Sequence, residues 1–160
     1  MAIPADNLMT LLREGGARCP TGKGKSTFKS LSQSGLIVDQ ISWPLLVNGK
    51  EIPTAPLDRL REEADFKVHE EVCKSLGFEL FVKRAKIGQS KHVRVRPRFE
   101  NWSCSGTITV IEDQITESVL GNILTFAGRY SGLGDWRPSS PKSPGSWGKF
   151  TAVIEPFSGE

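Results

Sequence analysis

A helix followed by two strands is predicted by residues 57–98, which read LDRLREEADFKVHEEVCKSLGFELFVKRAKIGQSKHVRVRPR. The apolar residues of the first half recur at intervals of three and four positions and therefore share one helical face: Leu57, Leu60, Ala64, Val68, Val72 and Leu76. Gly77 follows directly and suits the C-terminal cap of a helix. We therefore predict a helix that ends at about Leu76.

The second half of this stretch alternates between two kinds of side chain with a period of two residues, which is the period of a strand. A turn is predicted at Gly88-Gln89-Ser90, between the two strands. The alternation assigns five apolar residues to the face that the helix would cover: Phe78, Leu80, Val82, Val93 and Val95.

A further strand or hairpin is predicted upstream. Residues 36–38 and 41–47 form a β-rich run that ends at Asn48-Gly49, a dipeptide that adopts the positive φ angles of tight hairpin turns. Downstream, residues 107–111 form either the far half of a long strand bent at Pro97 or a separate strand.

A second helix is predicted from Thr116, and a last strand from Phe150 to Phe157. Asp113 or Thr116 can cap the start of this helix, and Gly128 suits its C-terminal end. A loop rich in Gly, Pro and Ser joins the helix to the last strand.

The predicted order of elements is that of a ferredoxin-like β-α-β-β-α-β fold, which belongs to the α+β class. In this fold two helices cover one face of an antiparallel sheet. The chain has 160 residues, of which 38% are hydrophobic, and this is enough for one core. We assign residues 35–160 to this domain and residues 1–34 to an N-terminal extension with a short helix and a basic, flexible loop.

The composition also indicates where the protein is located and which kinds of site it can contain. No apolar run approaches the roughly 20 residues that a membrane span requires, so we expect no membrane association and a cytoplasmic protein. The cysteines Cys19, Cys73 and Cys104 are odd in number and far apart, so neither a disulfide framework nor a zinc site is predicted. No cofactor or metal is expected.

The charges are distributed unevenly although the net charge is only +3. Residues 83–98 carry seven basic residues and no acid, whereas residues 57–76 carry six acids and four bases. We therefore expect one basic side of the molecule.

The basic segment is the first candidate site. If residues 92–98 form a strand, one face carries His92, Arg94 and Arg96, and Arg98 follows if the strand continues past Pro97.

Other residues could extend this site. Lys83 and Phe81 lie on the same face of the neighbouring predicted strand, and Phe99 and Trp102 could stack on bases. The alternative is that the arginines of this site are the solvated face of an amphipathic strand or pair with acids of the helix.

The Gly-rich loop is the second candidate site. Its glycine amides could hold phosphates and its aromatic rings could stack on bases. The residues assigned to this role are Arg129, Tyr130, Gly132, Gly134, Trp136, Arg137, Trp147 and Lys149. Equally, the loop is a glycine-rich connection that two tryptophans hold to the core.

Other chemistry finds little support. Gly22-Lys23-Gly24-Lys25-Ser26-Thr27 is not a Walker A site, because Cys19 stands where that motif needs its first glycine. No nucleophile with a base, pair of carboxylates or metal cluster stands out, so no enzyme is predicted. His92 could at most act as a general acid or base in a metal-independent ribonuclease.

One family shares several of these motifs. Arg94-x-Arg96-Pro97-x-Phe99-x-x-Trp102, Ala127-Gly128-Arg129-Tyr130, Gly132-Leu133-Gly134-Asp135-Trp136-Arg137-Pro138 and Gly148-Lys149-Phe150 resemble a family of small proteins of tailed bacteriophages and prophages. Gly49-Lys50-Glu51-Ile52-Pro53 also looks like theirs, and the resemblance covers about residues 35–157. The family is in turn similar, in its Gly-rich loop, to the RAMP superfamily of CRISPR RNA-binding proteins. The segment from Ser139 to Pro144 makes the loop longer than in the phage family.

The resemblance implies a phage origin and agrees with a ferredoxin-like fold, but it implies no activity. Our first hypothesis is a phage protein that binds nucleic acid, preferring single strands or RNA. The second is a protein-interaction module, such as an anti-defence inhibitor, that binds an acidic surface of a host protein and self-associates through open sheet edges. The third is the ribonuclease that uses His92.

Overall fold

A computed structural model describes residues 1–87, 90–142 and 144–157. The helices are α1 (Ala5–Gly16), α2 (Lys29–Gly35), α3 (Ala55–Asp58), α4 (Phe66–Ser75) and α5 (Glu117–Phe126), with a 3₁₀ helix at Arg59–Glu62 and a π-helical turn at Ala127–Ser131. The strands are β1 (Ala2–Pro4), β2 (Leu36–Val38), β3 (Ser42–Pro44), β4 (Leu46–Val47), β5 (Lys50–Glu51), β6 (Glu79–Ile87), β7 (Ser90–Arg98), β8 (Trp102–Ser103) and β9 (Ile108–Val110).

The predicted α+β class is confirmed, whereas the ferredoxin-like topology is not. In the described part of the chain the strands form four small sheets, ordered β1-β3, β2-β9, β5-β4-β8 and β6-β7. Residues 150–157 contain neither strand nor helix, so the predicted last strand is wrong. Residues 107–111 contain β9, a separate strand that pairs with β2.

The chain divides into two compact units. The first, which we call the helical unit, comprises Ile3–Trp43 and Gly106–Glu160. The second, the ribbon unit, comprises Met1–Ala2 and Pro44–Ser105. This division differs from the predicted boundary between residues 34 and 35.

The core of the helical unit is built by α1, β2 and α5 together with the segments beside them. Its buried apolar residues are Leu8, Leu12, Cys19, Phe28, Leu36, Val38, Ile115, Leu120 and Ile123. Gly15 of α1 lies against the backbone of Ile123, where a side chain would collide with the carbonyl oxygen. Helix α1 therefore contributes to the core of the helical unit, whereas it was predicted to lie in an N-terminal extension.

Helix α5 begins as predicted. The Thr116 side chain accepts a hydrogen bond from the backbone N–H of Val119, which caps the first turn. The predicted C-terminal role of Gly128 is wrong, because Gly128 lies inside the π-helical turn. Gly132, with φ of 73°, ends that turn instead.

The ribbon unit has a smaller core of Val47, Ile52, Cys73 and Phe78. Its β4–β5 hairpin turns at Asn48-Gly49, with φ angles of 51° and 75°, and this confirms the predicted hairpin turn. Cys73, which the sequence places beside the apolar stripe of the helix, is the buried residue of α4.

The predicted helix from Leu57 to Leu76 is broken at residues 63–65. Asp65 adopts an extended conformation and accepts a hydrogen bond from the N–H of Lys67 at 2.9 Å. The Glu63 carboxylate accepts the N–H of Asp65 at 2.8 Å. These side chains satisfy the backbone in a non-helical conformation, so a new helix begins at Phe66. Gly77, with φ of 89°, follows this helix as predicted.

Candidate nucleic-acid interface

Strands β6 and β7 form an antiparallel two-stranded ribbon, which confirms the predicted pair of strands. The predicted turn residues Gly88 and Gln89 lie outside the described residues. Each strand has nine residues, from Glu79↔Arg98 at the base to Ile87↔Ser90 at the tip. We refer to the β6–β7 pair as the ribbon.

One face of the ribbon carries the predicted basic residues. The register places Lys83 opposite Arg94 and Phe81 opposite Arg96, and His92 has the same parity as these arginines. We call Phe81, Lys83, His92, Arg94 and Arg96 the basic face. Its four basic side chains are exposed, so the structure brings these predicted residues together on an accessible surface.

Arg98 has a different setting at the base of the ribbon. Its guanidinium donates to the Glu79 carboxylate directly across the ladder and lies 3.4 Å from a carboxylate oxygen of Glu100. Arg98 therefore forms ion pairs with two acids at the base of the ribbon. These pairs weaken the prediction that Arg98 binds nucleic acid together with His92, Arg94 and Arg96.

The opposite face of the ribbon was predicted to pack in the core. This prediction is confirmed for Phe78 and Leu80, which belong to or pack against the smaller core, and is wrong for the three valines. Val82, Val93 and Val95 are 45%, 65% and 44% exposed. The ribbon pairs with no further strand among the residues that the structure describes, and helix α4 packs against β6. We call Val82, Val93 and Val95 the valine face.

Toward the tip the valine face also becomes basic. Arg84 lies opposite Val93, and Lys91 has the parity of Val93; both basic side chains are exposed. Neither residue was among the predicted site residues, although both belong to the basic run that the sequence displays. The outer half of the ribbon therefore carries positive charge on both faces.

The predicted stacking residues of this unit lie away from the basic face. Phe99 packs against Phe78 with ring centroids 5.1 Å apart, within the smaller core. Trp102 is partly buried on β8, opposite Val47. Among these aromatic side chains, Phe81 alone shares the basic face.

The second predicted site, the Gly-rich loop, belongs to the helical unit. Trp136 and Trp147 pack edge to face with centroids 5.2 Å apart, and the N–H of Trp147 donates to the carbonyl of Trp136 at 3.2 Å. The tryptophans therefore hold the two sides of the loop together. Among the described residues, the core of the helical unit includes neither of these tryptophans, so their predicted attachment to the core stays a prediction.

The glycines of this loop serve close packing of the chain. The Gly132 N–H donates to the Ala127 carbonyl at 2.8 Å, and the Leu133 N–H donates to the Gly148 carbonyl at 2.9 Å. A side chain at Gly148 would collide with the carbonyl of Leu133, whereas one at Gly134 would meet open space. The amides of Gly132 and Leu133 are thus already used within the loop.

The basic and aromatic residues around the loop are only partly available. Arg137 donates to the Ser139 hydroxyl at 3.0 Å and to the Gly134 carbonyl at 3.2 Å. Arg129, Tyr130 and Lys149 are exposed, and the Arg18 guanidinium lies 5.6 Å from the centre of the Tyr130 ring. The loop offers less accessible cationic surface than its sequence suggests.

A cavity of about 260 Å³ lies between α1 and this loop, and no pattern in the sequence indicates it. Asn7, Thr10 and Glu14 line it from the helix, and Asp135 and Arg137 line it from the loop. It contains two carboxylates and one guanidinium, so its charges do not favour a polyanion.

The cysteines lie in environments that disfavour ionisation. Burial raises the pKa of the Cys19, Cys73 and Cys104 thiols above the ordinary value. Thiols with a raised pKa are weak nucleophiles at neutral pH.

Other classes of site find no counterpart in the described residues. Among them, no group of three or more His, Cys, Asp or Glu side chains could hold a metal ion. None of the helices they form combines the length and apolar character needed to cross a bilayer. No protein-family model, curated protein or solved structure matches the chain.

Proposed function

We propose that the protein binds nucleic acid through the ribbon. The observation that carries this proposal is the position of Lys83, Arg94 and Arg96 on one exposed face, with Arg84 and Lys91 on the other near the tip. Like charges that lie opposite each other across a ladder repel, and a bound polyanion removes that repulsion. Phosphates supply such anions at a regular spacing.

The predicted preference for single strands or RNA depended on aromatic rings that stack on bases. Phe99, Trp136 and Trp147 pack against neighbouring rings of the protein, so this support is weaker than the sequence suggested. The charge of the ribbon carries the proposal without them.

The test is a fluorescence-anisotropy titration of labelled single-stranded RNA, single-stranded DNA and duplex DNA with the purified, nuclease-treated full chain. Binding should weaken steeply between about 50 and about 200 mM salt, because each neutralised phosphate releases counterions. Absence of binding to all three ligands at low salt would overturn the proposal.

A pair of double variants assigns the binding to the ribbon. Arg94→Ala with Arg96→Ala should weaken binding and make its salt dependence shallower. The magnitude of the slope of log affinity against log salt should fall by roughly one for each phosphate that is no longer neutralised. Arg59→Ala with Lys67→Ala removes the same charge from exposed positions of the same unit outside the ribbon, and should change both quantities much less. Equal effects of the two double variants would refute the assignment.

A protein partner is a second candidate, which the valine face favours. Exposed apolar side chains that lie together on one face are typical of protein-interaction surfaces. An anti-defence inhibitor of a host protein would use this face, which lies opposite the arginines. Nuclease-resistant association with a purified partner, abolished in Val93→Ser with Val95→Ser and retained in Arg94→Ala with Arg96→Ala, would favour this candidate over the first.

The RNA samples of the titration also test the ribonuclease hypothesis. His92 is exposed on the basic face, where it could reach a bound phosphodiester. Cleavage products on a denaturing gel that disappear in His92→Ala would support this activity, and intact RNA after long incubation would dispose of it.

A further inference from the structure

We infer that the ligand of the ribbon is B-form duplex DNA and that the ribbon lies in its major groove. This inference rests on the proposed function, because it assigns a ligand class to the same surface. Its basis is the shape of the ribbon and the distribution of charge around it.

The width of the ribbon suits the major groove. Two antiparallel strands lie about 4.8 Å apart, and a ribbon of two strands fits the B-DNA major groove, which is about 12 Å wide. In the described part of the chain the ribbon is a two-stranded sheet, so no third strand widens it. The minor groove, about 6 Å wide, and the deep, narrow major groove of A-form RNA are too narrow for it.

The length of the ribbon also suits this groove. Nine residues per strand, at a rise of about 3.4 Å per residue, give a ribbon of roughly 27 Å from base to tip. One turn of the duplex covers about 34 Å along its axis, and the groove winds around that axis, so its path over one turn is longer still. The ribbon can therefore follow part of one turn of the groove.

Positive charge lies on both faces of the ribbon. Lys83 and Arg94 leave the ribbon on the basic face, while Arg84 leaves it on the valine face. A major groove has a phosphate backbone along each side, so long side chains from both faces of an inserted ribbon can reach phosphates. A single strand lying on one face would leave Arg84 and Lys91 without a role.

The side chains of the basic face suit base edges better than unstacked bases. Proteins that bind single strands present successive aromatic rings. The basic face presents one, Phe81, beside arginines that can donate two hydrogen bonds to the major-groove edge of guanine. The ribbon is therefore better equipped for a groove than for a stacked single strand.

The experiment compares labelled ligands of one sequence, of about 20 base pairs or nucleotides so that each exceeds one duplex turn. The ligands are duplex DNA, each of its single strands and the corresponding duplex RNA, titrated with the full chain at low and moderate salt. We expect duplex DNA to bind about tenfold or more tightly than the other ligands, because it alone combines a wide groove with phosphates on both sides.

Competition then identifies the groove. Methyl green, which occupies the major groove, should displace the protein, and netropsin, which occupies the minor groove, should not. Arg84→Ala with Lys91→Ala should weaken binding to duplex DNA several-fold more than binding to single strands, because only a groove engages the valine face near the tip.

The outcomes separate this inference from the proposed function. Equal or tighter binding of single strands or of duplex RNA overturns the inference and leaves the proposed function standing. Displacement by netropsin instead of methyl green also overturns it. Absence of binding to every ligand overturns both, and preferential duplex DNA binding that methyl green abolishes supports both.

Discussion

Lys83 and Arg94 lie directly opposite each other across the ladder of the ribbon, so two positive side chains share one cross-strand position. Opposite charges at such a position stabilise a sheet and like charges destabilise it. The pair of like charges is therefore expected to lower the stability of the ribbon slightly, since both side chains are exposed.

Charge reversal at this position should separate stability from binding. Arg94→Glu places a carboxylate opposite Lys83, which should raise the free energy of unfolding by less than about 1 kcal/mol, since the site is exposed. The same substitution should strongly weaken nucleic-acid binding, because it adds a negative charge to the face that would meet a polyanion. Urea denaturation and fluorescence anisotropy measure the two effects.

Arg61→Glu is the matched control for this reversal. Arg61 is exposed in the same unit and pairs with Asp58 at 3.0 Å, outside the ribbon. The control substitution should lower stability slightly and weaken binding far less than Arg94→Glu. Binding that survives Arg94→Glu unchanged would contradict a contact between the basic face and nucleic acid.

Local features of the fold could be predicted from the sequence. The alternation of residues 78–83 and 92–96 predicts which side chains share a face, and the register of the ribbon agrees with it. The Asn48-Gly49 turn and the Thr116 cap are likewise properties of a few adjacent residues. Signals of this kind need no knowledge of the rest of the chain.

Burial and sheet order could not be predicted in the same way. Alternation separates Val93 and Val95 from the arginines, but it does not say whether another element covers the valines. The pairing of Ile37 with Thr109 joins segments far apart in the sequence, and no local pattern indicates it. The N-terminal helix enters the main core for the same reason: its partners include residues beyond 100.

The role of the glycines in the loop was also ambiguous in the sequence. A glycine is needed both where an amide is exposed to a ligand and where two chain segments pack closely. The hydrogen bond from Leu133 to Gly148 and the close approach of their backbones favour close packing. Only the position of the second segment, more than ten residues away, distinguishes these roles.

Gly148→Ala should destabilise the helical unit through this loop. Gly148 has φ of 70°, and an added side chain would meet the backbone of Leu133, so we expect a decrease of about 2–4 kcal/mol in the free energy of unfolding. Gly134→Ala is the control, with φ of 78° and open space around it, and should cost only about 1–2 kcal/mol for the left-handed backbone. Urea denaturation of both variants checks the difference, and equal decreases would count against close packing at Gly148.

The buried thiols should make stability depend on pH in the alkaline range. Burial raises the pKa of Cys19 and Cys73 in the folded protein, so the unfolded chain ionises first as the pH rises. Their contribution is fully present below the unfolded value of about 8.5 and is lost as the pH rises through the folded pKa. Urea denaturation at about pH 7 and about pH 9.5 should show lower stability at the higher pH, and Cys73→Ala should reduce that difference. A difference that stays the same in this variant would exclude the thiol as its source.

Truncation of two apolar residues should distinguish the covered core from the uncovered ribbon. Ile123 is 0% exposed in the core of the helical unit, so Ile123→Ala should cost about 2–5 kcal/mol, because it removes buried apolar surface and leaves a cavity. Val93 is 65% exposed, so Val93→Ala should cost less than about 1 kcal/mol, most of it from lower strand propensity. Urea denaturation measures both changes. A loss of stability at Val93 comparable with that at Ile123 would mean that the valine face is covered in solution, for instance by a second copy of the chain. In that case the measured free energy of unfolding would depend on protein concentration, which would reveal the association.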